Sequence, residues 1–132
     1  MMNINYIKEY IEKSIKENWD QPAFTDYQGK TYTYQEVAQQ IHRLHKILGI
    51  WGVNQGDKIS LIGRNNSSWA ITYLATISYG AVIVPILADF SPDDIHHIVS
   101  ERPRVGPHVD DAAFFTDALL FYPLSVPFYR YK

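Results

Sequence analysis

The chain has 132 residues, 46% hydrophobic and 20% charged, which suits one domain or a piece of a larger one and argues against a disordered protein. Its formal net charge of −2, with no long block of one sign, builds no basic stripe for a phosphate backbone and so argues against a nucleic-acid partner. With no cysteine, it is excluded from disulfide bonding, thiolate catalysis and Cys-based zinc binding.

The N-terminal stretch carries charges every few residues and lacks the apolar core of a signal peptide. Ile4, Ile7, Ile11 and Ile15 recur at helical spacing and predict one amphipathic helix ending near Asn18, with Glu9–Lys13 and Glu12–Lys16 as supporting ion pairs. Ala23–Tyr27 and Thr31–Thr33, separated by Gln28-Gly29-Lys30, predict a hairpin. Thr33 followed three residues later by Glu36 is a capping-box spacing. It opens a second helix with Val37, Ile41, Leu44 and Leu48 on one face and Gly52 as terminator.

Gly56-Asp57 turns the chain into a short strand over 58–62. A helix is expected over 67–79, burying Trp69, Tyr73, Leu74 and Ile77, and Gly80 ends it. Ala81–Val84 is a continuous apolar run bounded by Gly80 and Pro85, the pattern of a strand covered on both faces. Strand, helix and strand make a βαβ unit. Ser91-Pro92-Asp93-Asp94 opens a further helix, with Ser as N-cap and acids in the first turn. Beyond it, Pro103 and Pro107 remove ladder donors and argue against a central strand at 102–107. The apolar stretch 112–128 is interrupted by Asp117, Pro123 and Pro127, and a spanning helix needs roughly 20 apolar residues, so no transmembrane segment is expected. The expectation is a soluble, cytoplasmic α/β protein with helices on both sheet faces.

Four fragments, in order, resemble the N-terminal part of AMP-forming acyl-CoA synthetases. Tyr32–Val37 resembles that family's "(L/Y)(T/S)Y-x-E-(L/V)" segment, and Gly52–Ile59 its "G-V-x-x-G-D-x-V" turn. Asn66–Trp69 resembles "N-(S/R)-x-x-W", and Ser78–Ile86 resembles "x-x-G-A-x-x-V-P-(I/L)". Ser91–Ile95 is closest in flavour to long-chain fatty-acid–CoA ligases. The resemblance implies a partial N-terminal subdomain of an acyl-adenylate-forming enzyme over residues 1–101. Residues 102–132 are then an unmatched tail, frameshifted or disordered, that should pack poorly on the α/β unit. For the complete enzyme it implies fatty acid, ATP and CoA converted to acyl-CoA through an acyl adenylate, with ATP, Mg²⁺ and CoA as cofactors. The family's phosphate loop with its Lys, its adenine-stacking aromatic, its ribose Asp and the Lys of its mobile domain have no counterpart here. The expectation is thus a fragment inactive alone; a non-catalytic α/β interaction module and a truncated gene product are the alternatives.

No catalytic, cofactor-binding or metal-binding residue is assigned, and no cofactor is expected for this chain itself. Gly63–Ser68 lies between a strand end and a helix start, where backbone N–H groups hold anions, but it lacks GxGxxG and GxxxxGK[ST] patterns. Capping accounts for Asn66 and Ser67 without a ligand, and Arg64 is left as a phosphate contact in an assembled enzyme. His42 and His45 share a helix face without completing a metal set, and the adjacent His96 and His97 diverge. Asp93, Asp94, Asp110 and Asp111 read as dipole-complementing or solvated acids. Exposed apolar surface makes self-association the expected partner behaviour.

Overall fold

The computed structural model describes residues 4–100 and 112–115. Helix α1 spans Ile4–Glu17, and Ile11 and Ile15 lie half-buried against the core. Its ion pair is Lys13–Glu17 at 3.8 Å rather than either expected pair, and both partners are so exposed that it adds little. Strands β1 (Pro22–Thr25) and β2 (Thr31–Thr33) form the antiparallel hairpin. At its tip Gln28 takes φ 52°, while Asp26 N–H donates to the Lys30 carbonyl and Gly29 N–H to the Asp26 carbonyl. Both arms of the capping box form at the start of α2 (Tyr34–Ile50): Thr33 N–H donates to Glu36 Oε2 at 2.9 Å, and Glu36 N–H to Thr33 Oγ1 at 3.3 Å. Val37, Ile41, Leu44 and Leu48 are all buried, each burial stabilising by about 1.5–3 kcal/mol. Gly52, at φ 74°, lets the chain leave the helix.

Next comes the parallel unit: β3 (Lys58–Gly63), α3 (Ser67–Tyr79) and β4 (Val82–Leu87), followed by α4 (Pro92–Ser100). Asp57, itself buried, shapes the turn into β3: its carboxylate accepts the Asn54 N–H at 2.7 Å while Gly56 takes φ 89°. Ile59, Leu61 and Ile83 face the cluster that includes Leu48 of α2 and the aromatics of α3. Ile62 and Ile86 face the other way, toward Ile95 and Ile98 of α4. Helices therefore cover both sheet faces, and the architecture is α/β.

Three expectations change. The run 81–84 does not lie in a strand covered on both faces. Among the described residues β4 is an edge strand, with Val82 46% exposed and Leu87 68% exposed. The α3 residues expected to be buried are only half-buried. Its deepest face is Ile71, Thr72, Ala75 and Thr76, because α3 is pressed between α1 and α2 on one side and the sheet on the other. Small side chains allow that close approach, and Trp69 and Tyr73 are displaced to the flank, stacked at 5.4 Å. Thirdly, Ala112–Phe115 forms β5, parallel to β3 from Ile59↔Ala112 to Ile62↔Phe115. The tail thus rejoins the sheet at these four residues. The segment carries no proline, whereas Pro103, Pro107, Pro123 and Pro127 all lie outside it. The other residues of 101–132 lie outside the described ones.

Pro85 is accommodated because of its parity. Val82 N–H donates to the Asp57 carbonyl at 2.7 Å, so residues 82, 84 and 86 turn their N–H groups toward β3. Pro85 therefore places its missing donor on the outer edge, where no β3 ladder bond is lost.

Candidate functional site

The turn from β3 into α3 sets backbone donors beside a groove of polar and aromatic side chains. Asn66, extended at φ −146°, caps α3 by accepting the Trp69 N–H at 2.9 Å. Ala70 N–H donates to the Asn66 carbonyl. The Ser67 N–H donates to Asp26 Oδ1 at 2.7 Å, a contact from the hairpin tip 41 residues earlier. A groove of about 390 Å³ lies between the two, walled by Phe24, Tyr27, Asn65 and Trp69. Ser67 and Ser68 are 4% and 5% exposed, and their hydroxyl oxygens have no hydrogen-bond partner. Arg64 is exposed on the loop and does not line the groove. Capping thus accounts for Asn66, as expected. For Ser67 it accounts for the amide, which Asp26 holds, and leaves the hydroxyl without a role. The sequence places Asp26 only within the first hairpin strand, 23–27, since nothing local signals a partner 41 positions away.

His42 and His45 are not brought together as ligands. His42 is exposed, while His45 Nε2 lies 2.9 Å from both the Ala75 carbonyl and Ser78 Oγ. A carbonyl only accepts, so Nε2 carries the proton and donates. The ring also meets the Tyr79 ring edge-on at 5.5 Å, and Tyr79 Oη donates to the Val53 carbonyl at 2.7 Å. Burial pushes the His45 imidazole below its usual value, opposed by the bond to Ala75 and reinforced by Lys8 and His42. Rather than a half-exposed helix edge, His45 is a tie between α2 and α3. Among the described residues no three His, Asp or Glu side chains converge on a metal position.

Ser91 caps α4: Asp94 N–H donates to Ser91 Oγ at 3.1 Å and the hydroxyl donates to Asp94 Oδ2 at 2.6 Å. Asp93 and Asp94 are exposed first-turn acids, as expected, and His97 is exposed. Asp110, Asp111 and the His96 side chain lie outside the described residues.

A family model described as "AMP-binding enzyme" matches residues 11–102. The chain belongs to the AMP-binding enzyme family. It is 26% identical over 95 residues to surfactin synthase subunit 2 of Bacillus subtilis, a match covering 72% of this chain and 3% of that protein. It is 30% identical over 97 residues to the acetyl-coenzyme A synthetase of Sodalis glossinidius, covering 70% of this chain and 15% of that protein. The chain therefore spans only a small part of the length of these relatives. Among solved structures, the N-terminal subdomain of Klebsiella oxytoca NpsA superposes with a TM-score of 0.69 at 18% identity, covering 92% of this chain and 34% of that one. The same subdomain in complex with 3-hydroxyanthranilyl-AMSN matches with a TM-score of 0.65 at 22% identity, over 70% of this chain and 24% of that one. These likenesses are of fold. They agree with an N-terminal adenylation-type subdomain, and no helix among the described residues is long and apolar enough to cross a membrane.

The family implies ATP, and the helix start at 63–68 offers backbone donors against which a fit to its phosphates is tested. Its residues do not fit a triphosphate. No Lys stands in the turn, and a carboxylate of the same sign as phosphate already holds the Ser67 amide. The family-matching motifs have structural work instead: Thr33 and Glu36 cap α2, Gly56 and Asp57 turn the chain into β3, and Asn66 caps α3.

Proposed function

We propose that this AMP-binding-family chain is the N-terminal scaffold of an enzyme that activates a carboxylic acid with ATP as an acyl adenylate. The observation that carries the reading is the β3–α3–β4 unit with helices on both faces, built from the stretch that the family model matches over 11–102. Residues 1–101 supply that scaffold, and the sheet it organises continues through β5. The machinery that meets ATP and acid lies in parts of such an enzyme that this chain does not contain, which accords with the absence of a fitting phosphate site at 63–68.

The acid and its acceptor divide into two readings. The likeness to surfactin synthase subunits and to NpsA bound to 3-hydroxyanthranilyl-AMSN favours an amino or aryl acid. The likeness to acetyl-coenzyme A synthetase favours a simple acyl group passed to CoA. The long-chain fatty-acid reading is supported by Ser91–Ile95 alone, and those residues act as the capped start of α4. An amino or aryl acid is therefore the preferred substrate class.

The test is acid-dependent exchange of labelled pyrophosphate into ATP, run on the purified chain with Mg²⁺ and a panel of amino, aryl, acetic and fatty acids. No exchange above the enzyme-free control is expected, because losing even one donor to the developing charge costs on the order of 10²–10³ in rate. Exchange that survives repurification would overturn the scaffold reading.

A further inference from the structure

We propose that the outward face of α1 is a self-association surface, on which a second copy of this chain docks its own α1 antiparallel about a two-fold axis. Spacing sets the face. Tyr6, Tyr10, Lys13 and Glu17 follow one another at intervals of four, three and four, so they line one stripe of the 14-residue helix. Ile11 and Ile15, which pack on the core, lie on a different stripe. Tyr6 is 56% exposed and Tyr10 68% exposed, and the side chains of Lys13 and Glu17 are 69% and 62% exposed. Two large aromatic side chains one turn apart on the same face leave apolar area in water. Tyr10 also walls an apolar groove of about 260 Å³ with Ile11, Ile15, Phe24 and Leu74, which extends that area toward the hairpin.

The order of the stripe identifies its occupant. From the N-terminus it reads aromatic, aromatic, cation, anion. A copy running the other way, with the two-fold axis level with Ile11 and Glu12, sets Tyr10 against the partner's Lys13 and Tyr6 against the partner's Glu17. Each contact then occurs twice. An ammonium over a tyrosine ring is attracted by the negative ring face, and a phenol O–H donates to a carboxylate. The chain already makes the first kind of contact within itself, with Lys30 Nζ 4.5 Å from the Tyr32 ring centroid. A parallel copy would instead set each Lys13 and each Glu17 against its own like charge, which disfavours that arrangement. Lys13 and Glu17 are held only by their 3.8 Å ion pair, and a pair this exposed resists little when the side chains turn to a partner. The stripe covers about 16 Å of helix, so the buried area falls at the small end of protein interfaces and the dimer forms at high concentration.

The experiment is sedimentation velocity of the full chain over a wide concentration range, with substitutions at exposed positions of α1 and far-UV circular dichroism to verify folding. The natural chain should move from monomer toward dimer as concentration rises. Tyr10→Lys sets like charges together and should weaken the dimer at least about tenfold. Tyr10→Glu is equally polar but faces the partner's Lys13, and should dimerise at least about tenfold more tightly than Tyr10→Lys. Tyr10→Lys combined with Lys13→Glu swaps the charges and should recover the association that Tyr10→Lys loses. Equal loss in Tyr10→Lys and Tyr10→Glu would mean apolar adhesion without this register, and would overturn the proposal. A natural chain monomeric throughout, a dimer untouched by Tyr10→Lys, or a double variant that stays monomeric would overturn it as well. Should the Tyr10 variants fail to fold, Lys13→Glu decides: it should weaken the dimer, and unchanged association would sink the surface.

Discussion

His45 on α2 donates from Nε2 to the Ala75 carbonyl on α3 at 2.9 Å, a polar tie between two packed helices. The bond is available to the ring in either protonation state and works to raise its pKa, but burial is the largest cause and holds the pKa below the usual histidine value. The unfolded chain therefore binds a proton at a higher pH than the folded one does. Stability from this site is fully present above the unfolded value of about 6.5, and falls as pH drops below it toward the lowered folded value. Below that folded value the loss is complete. Urea denaturation at a series of pH values from 8 to 5 should show this slope in the natural chain, and His45→Gln should flatten it. An unchanged slope in the variant would assign the pH dependence to other groups.

The Thr33–Glu36 capping box offers a second test. Thr33→Ala removes the acceptor of the Glu36 N–H and should lower stability by about 1 kcal/mol. Glu36 is held below the usual carboxylate range, first by the Thr33 backbone N–H and next by Lys30, which sits 3.1 Å away. Its contribution is therefore present at neutral pH and lost as pH falls through the lowered value, the opposite arm from Thr33's hydroxyl. A denaturation midpoint identical to that of the natural chain would show that the cap contributes nothing.

Features within one or two helical turns were readable from the residues themselves. The α2 cap, the Gly52 exit and the limits of α3 at 67 and 79 follow from local chemistry: a side-chain oxygen near orphan amides, or a residue free to take positive φ. Contacts across long separations were not. Asp26 meets Ser67 across 41 positions and His45 meets Ala75 across 30, and neither pairing leaves a periodic trace. The wrong face of α3 has a related cause. Aromatic size suggested depth, but a helix gripped on two sides buries Ile71 and its small residues most deeply and leaves Trp69 and Tyr73 half-buried at the flank of the sheet cluster. The apolar run at 81–84 gave the strand correctly, yet its neighbours in the sheet depend on the rest of the chain.

Strand β5 places part of the tail in the sheet, where it completes the second edge of β3. Ending the chain after Ser100 should therefore expose the Ile59–Ile62 edge, lower the denaturation midpoint and promote association. A chain ending after Phe115 keeps the four paired residues and should retain the higher midpoint. Comparison of the two truncations by circular dichroism and sedimentation isolates the strand. Equal midpoints would mean that β5 adds no stability to β3.

The last prediction concerns Pro85 on the side of β4 that no strand pairs among the described residues. An edge strand offers unpaired donors and acceptors to any other strand, and proline is one device that blunts it. Because Val82 N–H points to β3, the outward positions are 83, 85 and 87, and Pro85 deletes the middle donor of that row. The Leu87 carbonyl is further engaged by the Phe90 N–H at 3.2 Å. Exposed Leu87 would otherwise make this edge adhesive. Pro85→Val restores the donor, adds a β-branched side chain and leaves the β3 ladder untouched. The variant should keep the natural far-UV spectrum and denaturation midpoint at low concentration, while its sedimentation coefficient rises with concentration more steeply than that of the natural chain. Matching sedimentation at every concentration would show that Pro85 does not guard the edge. A lowered midpoint without association would show instead that its ring is needed for packing.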